Sequence, residues 1–181
     1  PPHESRGLGD VYMRQLISRF NIIDSKLHYI KFSGEFEGKD TRPILDATIE
    51  VNGDKLKIYN VHFPSGFHDV SMRIDSLNVL SGLLNRHNYP TIALGDFNVN
   101  TKEDNKLNIY KSQEIYWSVA HIYACDDCKG SYYYNYGKTW EFLDTIFLSK
   151  DRGILYIEDT IEIYRTKSNS YNDTGKPINF N

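Results

Sequence analysis

Two stretches of alternating apolar and polar residues flank Asn52-Gly53, and this dipeptide constrains the fold more than any other feature of the chain. Two-residue hairpin turns need positive φ at their central positions, which Asn and Gly adopt readily, so the pair is expected to join adjacent antiparallel strands. Before it, Arg42 to Val51 places Ile44, Ala47, Ile49 and Val51 near a period of two. After it, Leu56, Ile58 and Val61 resume the pattern, and the second strand ends near His62.

From Asp69 the period lengthens. Val70, Ile74, Leu77, Leu80 and Leu84 recur at three- and four-residue intervals, Asp69 is placed to cap the first turn, and an amphipathic helix is predicted to about Arg86. Pro90 ends it, and Thr91-Ile92-Ala93-Leu94, bounded by Gly95, reads as a buried central strand with Asp96-Phe97-Asn98 at its exit. Residues 100–130 are polar and weakly periodic, which predicts a long surface excursion with at most a helical turn around Ile115 to Val119. Tyr132-Tyr133-Tyr134, Leu143 to Leu148 and Thr160 to Tyr164 are three further strand candidates. Asp10 to Phe20 stays open between helix and strand.

The 181 residues fit one domain, and 40% hydrophobic with 25% charged residues is ordinary globular usage. A formal net charge of −3 excludes a protein that coats DNA through counterion release, but not an enzyme that binds phosphodiesters transiently through a metal ion and a few arginines. No apolar run reaches the roughly 18–20 residues of a membrane span, and Pro1-Pro2-His3-Glu4 does not read as a signal peptide. Cys125 and Cys128 stand C-x-x-C in a polar stretch. A short-loop disulfide is preferred to two free thiols; a zinc site would need more ligands than the nearby His121 supplies.

Three segments could carry chemistry, each with a plainer reading beside it. In Gly95-Asp96-Phe97-Asn98, residues two apart on an extended segment would aim a carboxylate and an amide at one point, which suits Mg²⁺ with phosphate oxygens; alone, the motif is more often an Asx turn than a site. His62-Phe63-Pro64-Ser65 holds an imidazole at a strand end, or simply a half-buried histidine. Asp144 is a lone acid in the apolar stretch Leu143-Asp144-Thr145-Ile146-Phe147-Leu148-Ser149, which orients a catalytic histidine or is hydrogen-bonded as a structural group.

Taken in order, Asn60-Val61-His62-Phe63-Pro64-Ser65, then Arg73, then Gly95-Asp96-Phe97-Asn98, then Leu143 to Ser149 resemble the endonuclease/exonuclease/phosphatase superfamily of DNase I-like fold, over roughly residues 40–150. The resemblance implies an α/β (α+β) protein, a two-sheet sandwich flanked by helices, with the site in a cleft at one edge. It implies that His62 contacts the scissile phosphate or leaving group, that Asp96 orients the attacking water, and that Asn98 binds a phosphate oxygen. Asp96 and Asn98 would place Mg²⁺, with Mn²⁺ as the substitute, and Asp144 would hold a histidine in its working orientation. Arg42 and Ser65 are similar to positions that touch phosphate, and Arg73, grouped with them, to one that braces the loops.

Such proteins also use an Asn and a metal-binding Glu in early strands and a late Asp-His pair, usually Ser-Asp-His. No Ser-Asp-His tripeptide occurs here, and His3, Glu4, Asp10 and Asp24 lack a flanking strand pattern. Residues 1–181 are therefore expected to be one partial domain, incomplete at both ends and inactive alone, from a metal-dependent phosphodiester hydrolase. A nuclease acting on DNA or RNA is the preferred reading. A phosphomonoesterase, a lipid-headgroup phosphodiesterase of phosphoinositide or sphingomyelin type, and a non-catalytic binding domain are the alternatives. The cysteine pair and family habit suggest a secreted or periplasmic protein, with a cytoplasmic one as the alternative; a monomer is the default.

Overall fold

A computed structural model describes residues 15–39, 42–123, 129–157 and 160–163. Its main sheet opens with β1 (Asn21–His28), β2 (Ile44–Val51) and β3 (Asp54–His62), each antiparallel to the next. Asn52 and Gly53 both take positive φ, 53° and 91°, as the hairpin requires. Helix α1 (Val70–Leu84) follows, and the Asp69 carboxylate accepts the Ser71 N–H at its start. It carries the chain back so that β4 (Thr91–Asp96) lies parallel to β3, with His62 beside Asp96.

Two short helices, α2 (Thr101–Leu107) and α3 (Ile109–Ser112), lead through a 3₁₀ turn to β5 (Trp117–Val119) and α4 (Ala120–Tyr123). Strands β6 (Tyr132–Tyr134) and β7 (Thr139–Glu141) form a two-stranded ribbon, and β8 (Asp144–Ser149) enters the main sheet between β4 and β5. The six-stranded order is β1-β2-β3-β4-β8-β5, mixed in direction, with β3 and β4 its parallel pair. One face carries α1. Met72, Leu77, Leu80 and Leu84 join Tyr59, Val61, Ala93 and Phe147 in a single buried cluster. Full burial of each such side chain stabilises by about 1.5–3 kcal/mol, which fixes the sheet under the helix.

Several expectations change. Residues 101–108 lie on the surface as expected, but the excursion does not continue: Ile109, Tyr110, Trp117 and Val119 are core residues, and the Trp117 indole N–H donates to Ser81 of α1 at 3.0 Å. Residues 117–119, read as part of a helical turn, are a strand because β8 offers them a partner. Asp24 does lie in a strand, β1, which the sequence conceals because the strand is almost wholly exposed and shows no apolar alternation. Thr160 to Ile163 form no strand, since no neighbouring strand pairs with them among the described residues. Tyr164, Cys125, Cys128, His3, Glu4 and Asp10 lie outside the described residues. The described residues supply one large sheet and a ribbon, giving a mixed α/β architecture. No described helix is long and apolar enough to cross a membrane.

Candidate active site

The site is built at the end of β4 by a close approach that only glycine permits. Gly95 has φ 132°, and a Cβ there would stand 2.1 Å from the Val61 carbonyl oxygen. The glycine lets β3 and β4 stay in register to their ends, so His62 Nε2 comes 3.6 Å from Asp96 Oδ2. The ladder continues past both strands, with the Phe63 N–H donating to the Asp96 carbonyl at 2.9 Å.

Asn98 arrives by a different route from the one its spacing suggests. Its φ is 53°, so the chain is not extended beyond Asp96. The Asn98 N–H donates to Asp96 Oδ1 at 2.8 Å, an Asx turn, and Asn98 Nδ2 donates to the Phe63 carbonyl at 2.9 Å. The turn that served as the plainer reading is thus the device that fixes both side chains, and it leaves the amide oxygen of Asn98 as the remaining acceptor.

Across the sheet, Asp144 is the antiparallel register partner of Asp96. Two carboxylates on one face of a ladder repel, and the protonation equilibria record it. Burial, and then the Asp144 charge, push the Asp96 carboxyl up to about 6, against the opposing pull of the Asn98 N–H and of Arg42. Desolvation also raises Asp144, against its hydrogen bond with Ser131. Arg42 therefore stands close enough to Asp96 to favour its ionised form.

Ser65 lies in the loop between β3 and α1, and Arg73 in the first turns of α1 beneath it. Arg73 is fully buried, and its Nη1 donates to the carbonyls of Ser65 at 2.8 Å and His68 at 3.1 Å, while Nη2 pairs with Glu103 of α2. It braces the loop that carries Ser65 and ties it to α2. Breaking such a buried pair would leave an uncompensated charge.

Beside Asp144 lies a small cleft of about 120 Å³, lined by Val99, Thr101, Asp104, Tyr110, His121 and Phe142. His121 stacks on Phe142, hydrogen-bonds Thr145 Oγ1 through Nδ1 at 2.9 Å, and is kept neutral at pH 7 by burial, which pushes its imidazole down to about 4. Sequence reasoning saw His121 only as a neighbour of the cysteines; its stacking depends on chain separation that no local motif records. Among the described residues no three His, Cys, Asp or Glu side chains cluster to enclose a metal ion. What is present is an oxygen-rich, open set: two facing carboxylates and an amide.

No protein-family model and no curated protein matches the sequence. Solved structures do. An endonuclease/exonuclease/phosphatase family protein from Leptotrichia buccalis is 20% identical with a TM-score of 0.56, over 74% of this chain and 51% of its own. The endonuclease/exonuclease/phosphatase from Bacteroides vulgatus is 18% identical with a TM-score of 0.51, over 72% and 55%. A mannosyl-6-phosphatase from Bacteroides thetaiotaomicron is 16% identical with a TM-score of 0.51, over 73% and 54%. The chain spans about half the length of these structures, and over that half it has the endonuclease/exonuclease/phosphatase fold.

Proposed function

We propose that this chain contributes the central part of the active site of a metal-dependent phosphodiester hydrolase, with nucleic acid as the preferred substrate. The observation that carries the reading is the facing pair Asp96 and Asp144 beside His62, at the end of a central strand of this fold. A carboxyl raised to about 6 by burial and by an acidic neighbour is a group whose ionised form awaits a cation. The residues fit Mg²⁺, which takes one or two carboxylates and leaves its other positions to water and substrate oxygens. Asp96 and the Asn98 oxygen would hold it, and when bound it supplies positive charge to the phosphoryl oxygens.

The chain's own groups then divide the work. Asp96 orients the water that attacks phosphorus in line with the departing ester oxygen, and His62 contacts the phosphate or that leaving oxygen. Asn98 binds a phosphoryl oxygen, Arg42 and Ser65 add contacts to phosphate, and Asp144 orients a histidine. No covalent intermediate is required. The two-sheet sandwich and a secreted or periplasmic location belong to the same proposal; the second rests on Cys125 and Cys128.

Incubation of the full-length protein with supercoiled plasmid and with a small phosphodiester, with Mg²⁺ or with chelator, tests this. Nicking that requires Mg²⁺ and is lost in Asp96→Ala supports the nuclease. Cleavage of the small ester without nicking moves the substrate to phosphomonoesters or lipid headgroups, and inactivity on both would leave a binding domain.

A further inference from the structure

The β6–β7 ribbon springs from the same corner as the carboxylate pair. The Asp144 N–H donates to Ser131 Oγ at 2.9 Å, one residue before β6, and the Thr101 N–H donates to Glu141 of β7 at 2.7 Å. On the ribbon, Tyr133 faces Trp140 and packs edge-on against it at 5.2 Å. Tyr132 and Tyr134 therefore point to the opposite face, where they are 47% and 45% exposed. Tyr136, in the connecting turn, is 93% exposed with its ring 6.0 Å from that of Tyr134.

A ribbon needs aromatic rings on one face to pack; it does not need three more facing water. The two strand tyrosines stand about 6–7 Å apart, since residues two apart on a strand are separated by that rise. Exposed Lys129 and Lys138 flank them in the chain, and exposed Lys102 follows Thr101, whose N–H is bonded to Glu141 of the ribbon. Glu141 shares the face, but its carboxylate is occupied by the Thr101 N–H and the Thr139 hydroxyl. Flat rings at a regular spacing, bordered by lysines, match the alternating bases and phosphates of a single nucleic-acid strand.

We propose that Tyr132, Tyr134 and Tyr136 form a stacking platform for bases next to the scissile phosphate, so that the site works on a locally single-stranded substrate. The inference rests on the nucleic-acid reading above. Stacking is sequence-tolerant and its loss weakens binding by about five-fold or more per ring.

The test is binding in chelator, where no cleavage occurs, of fluorescent oligothymidylate and of an abasic oligomer of equal length to the full-length protein and to Tyr132→Thr and Tyr134→Thr. Threonine keeps strand propensity, and circular dichroism verifies the fold of each variant. The expected result is that the wild type prefers oligothymidylate, that each variant loses five-fold or more, and that the abasic oligomer binds all three alike. Equal binding of both oligomers by the wild type, or no loss in either variant, overturns the platform. Failure of the hydrolase reading is read separately, from the Mg²⁺-dependent cleavage assay.

Discussion

Two aspartates on the main sheet, Asp46 and Asp96, have been given opposite surroundings. Asp46 on β2 is buried, with His28 Nε2 at 2.7 Å and Lys57 Nζ at 2.5 Å, and Lys57 also donates to Thr48 at 2.8 Å. Burial pushes its carboxyl up, but the bonds from Lys57 and His28 outweigh this and hold it below the usual range. Asp96 is also largely buried, yet it faces another carboxylate and sits well above the usual range. One acid is fully compensated from within the fold; for the other, the Asn98 N–H and Arg42 offset burial and the facing carboxylate only in part. That difference separates a structural group from a candidate functional one more sharply than residue type does.

The comparison predicts mutations of opposite sign. Asp46→Ala leaves Lys57 as a buried charge without its partner, and a loss of about 3–5 kcal/mol in urea unfolding is expected. In chelator, Asp96→Asn should stabilise, by about 1–3 kcal/mol at neutral pH, because Asn keeps the acceptor for the Asn98 N–H and removes the cost of ionising beside Asp144. A loss of stability in Asp96→Asn, or none in Asp46→Ala, would erase the distinction. Asp144→Asn should give the smaller gain, since Asp144 is more exposed than Asp96, and should return the Asp96 carboxyl part of the way toward its ordinary range.

The pH dependences also diverge. Asp46 has a depressed pKa, so its contribution is present above about pH 4 and is lost as pH falls through the folded value. Asp96 has a raised one, so it costs nothing in acid and destabilises as pH rises from about 4 through about 6. Urea unfolding of Asp96→Asn against wild type, between about pH 4 and pH 8, should show a gap that opens with rising pH; a constant gap would place the effect elsewhere.

Much of this architecture is written locally. The turn at Asn52-Gly53, the capped helix after Asp69 and the short strand before Gly95 each carry their own period and punctuation. The 109–119 region does not, because Trp117 is buried by contact with Ser81 and Gln113 lies under the same serine, partners distant in sequence. Strand β1 is invisible for the reverse reason: an exposed edge strand has no apolar face to display. At the site, His62, Asp96, Asn98 and Asp144 stand out as residue types in motifs, whereas their mutual placement depends on strand register. The 2.1 Å approach at Gly95 and the left-handed Asn98 belong to that register, and so does the facing of two carboxylates.

The most direct measurement is a carbon-13 NMR titration of the Asp96 carboxyl in the full-length protein, without and with saturating Mg²⁺. A midpoint near 6 in chelator that falls by a unit or more when Mg²⁺ is added is the predicted result. A midpoint in the ordinary carboxylate range that Mg²⁺ leaves unmoved would contradict the account.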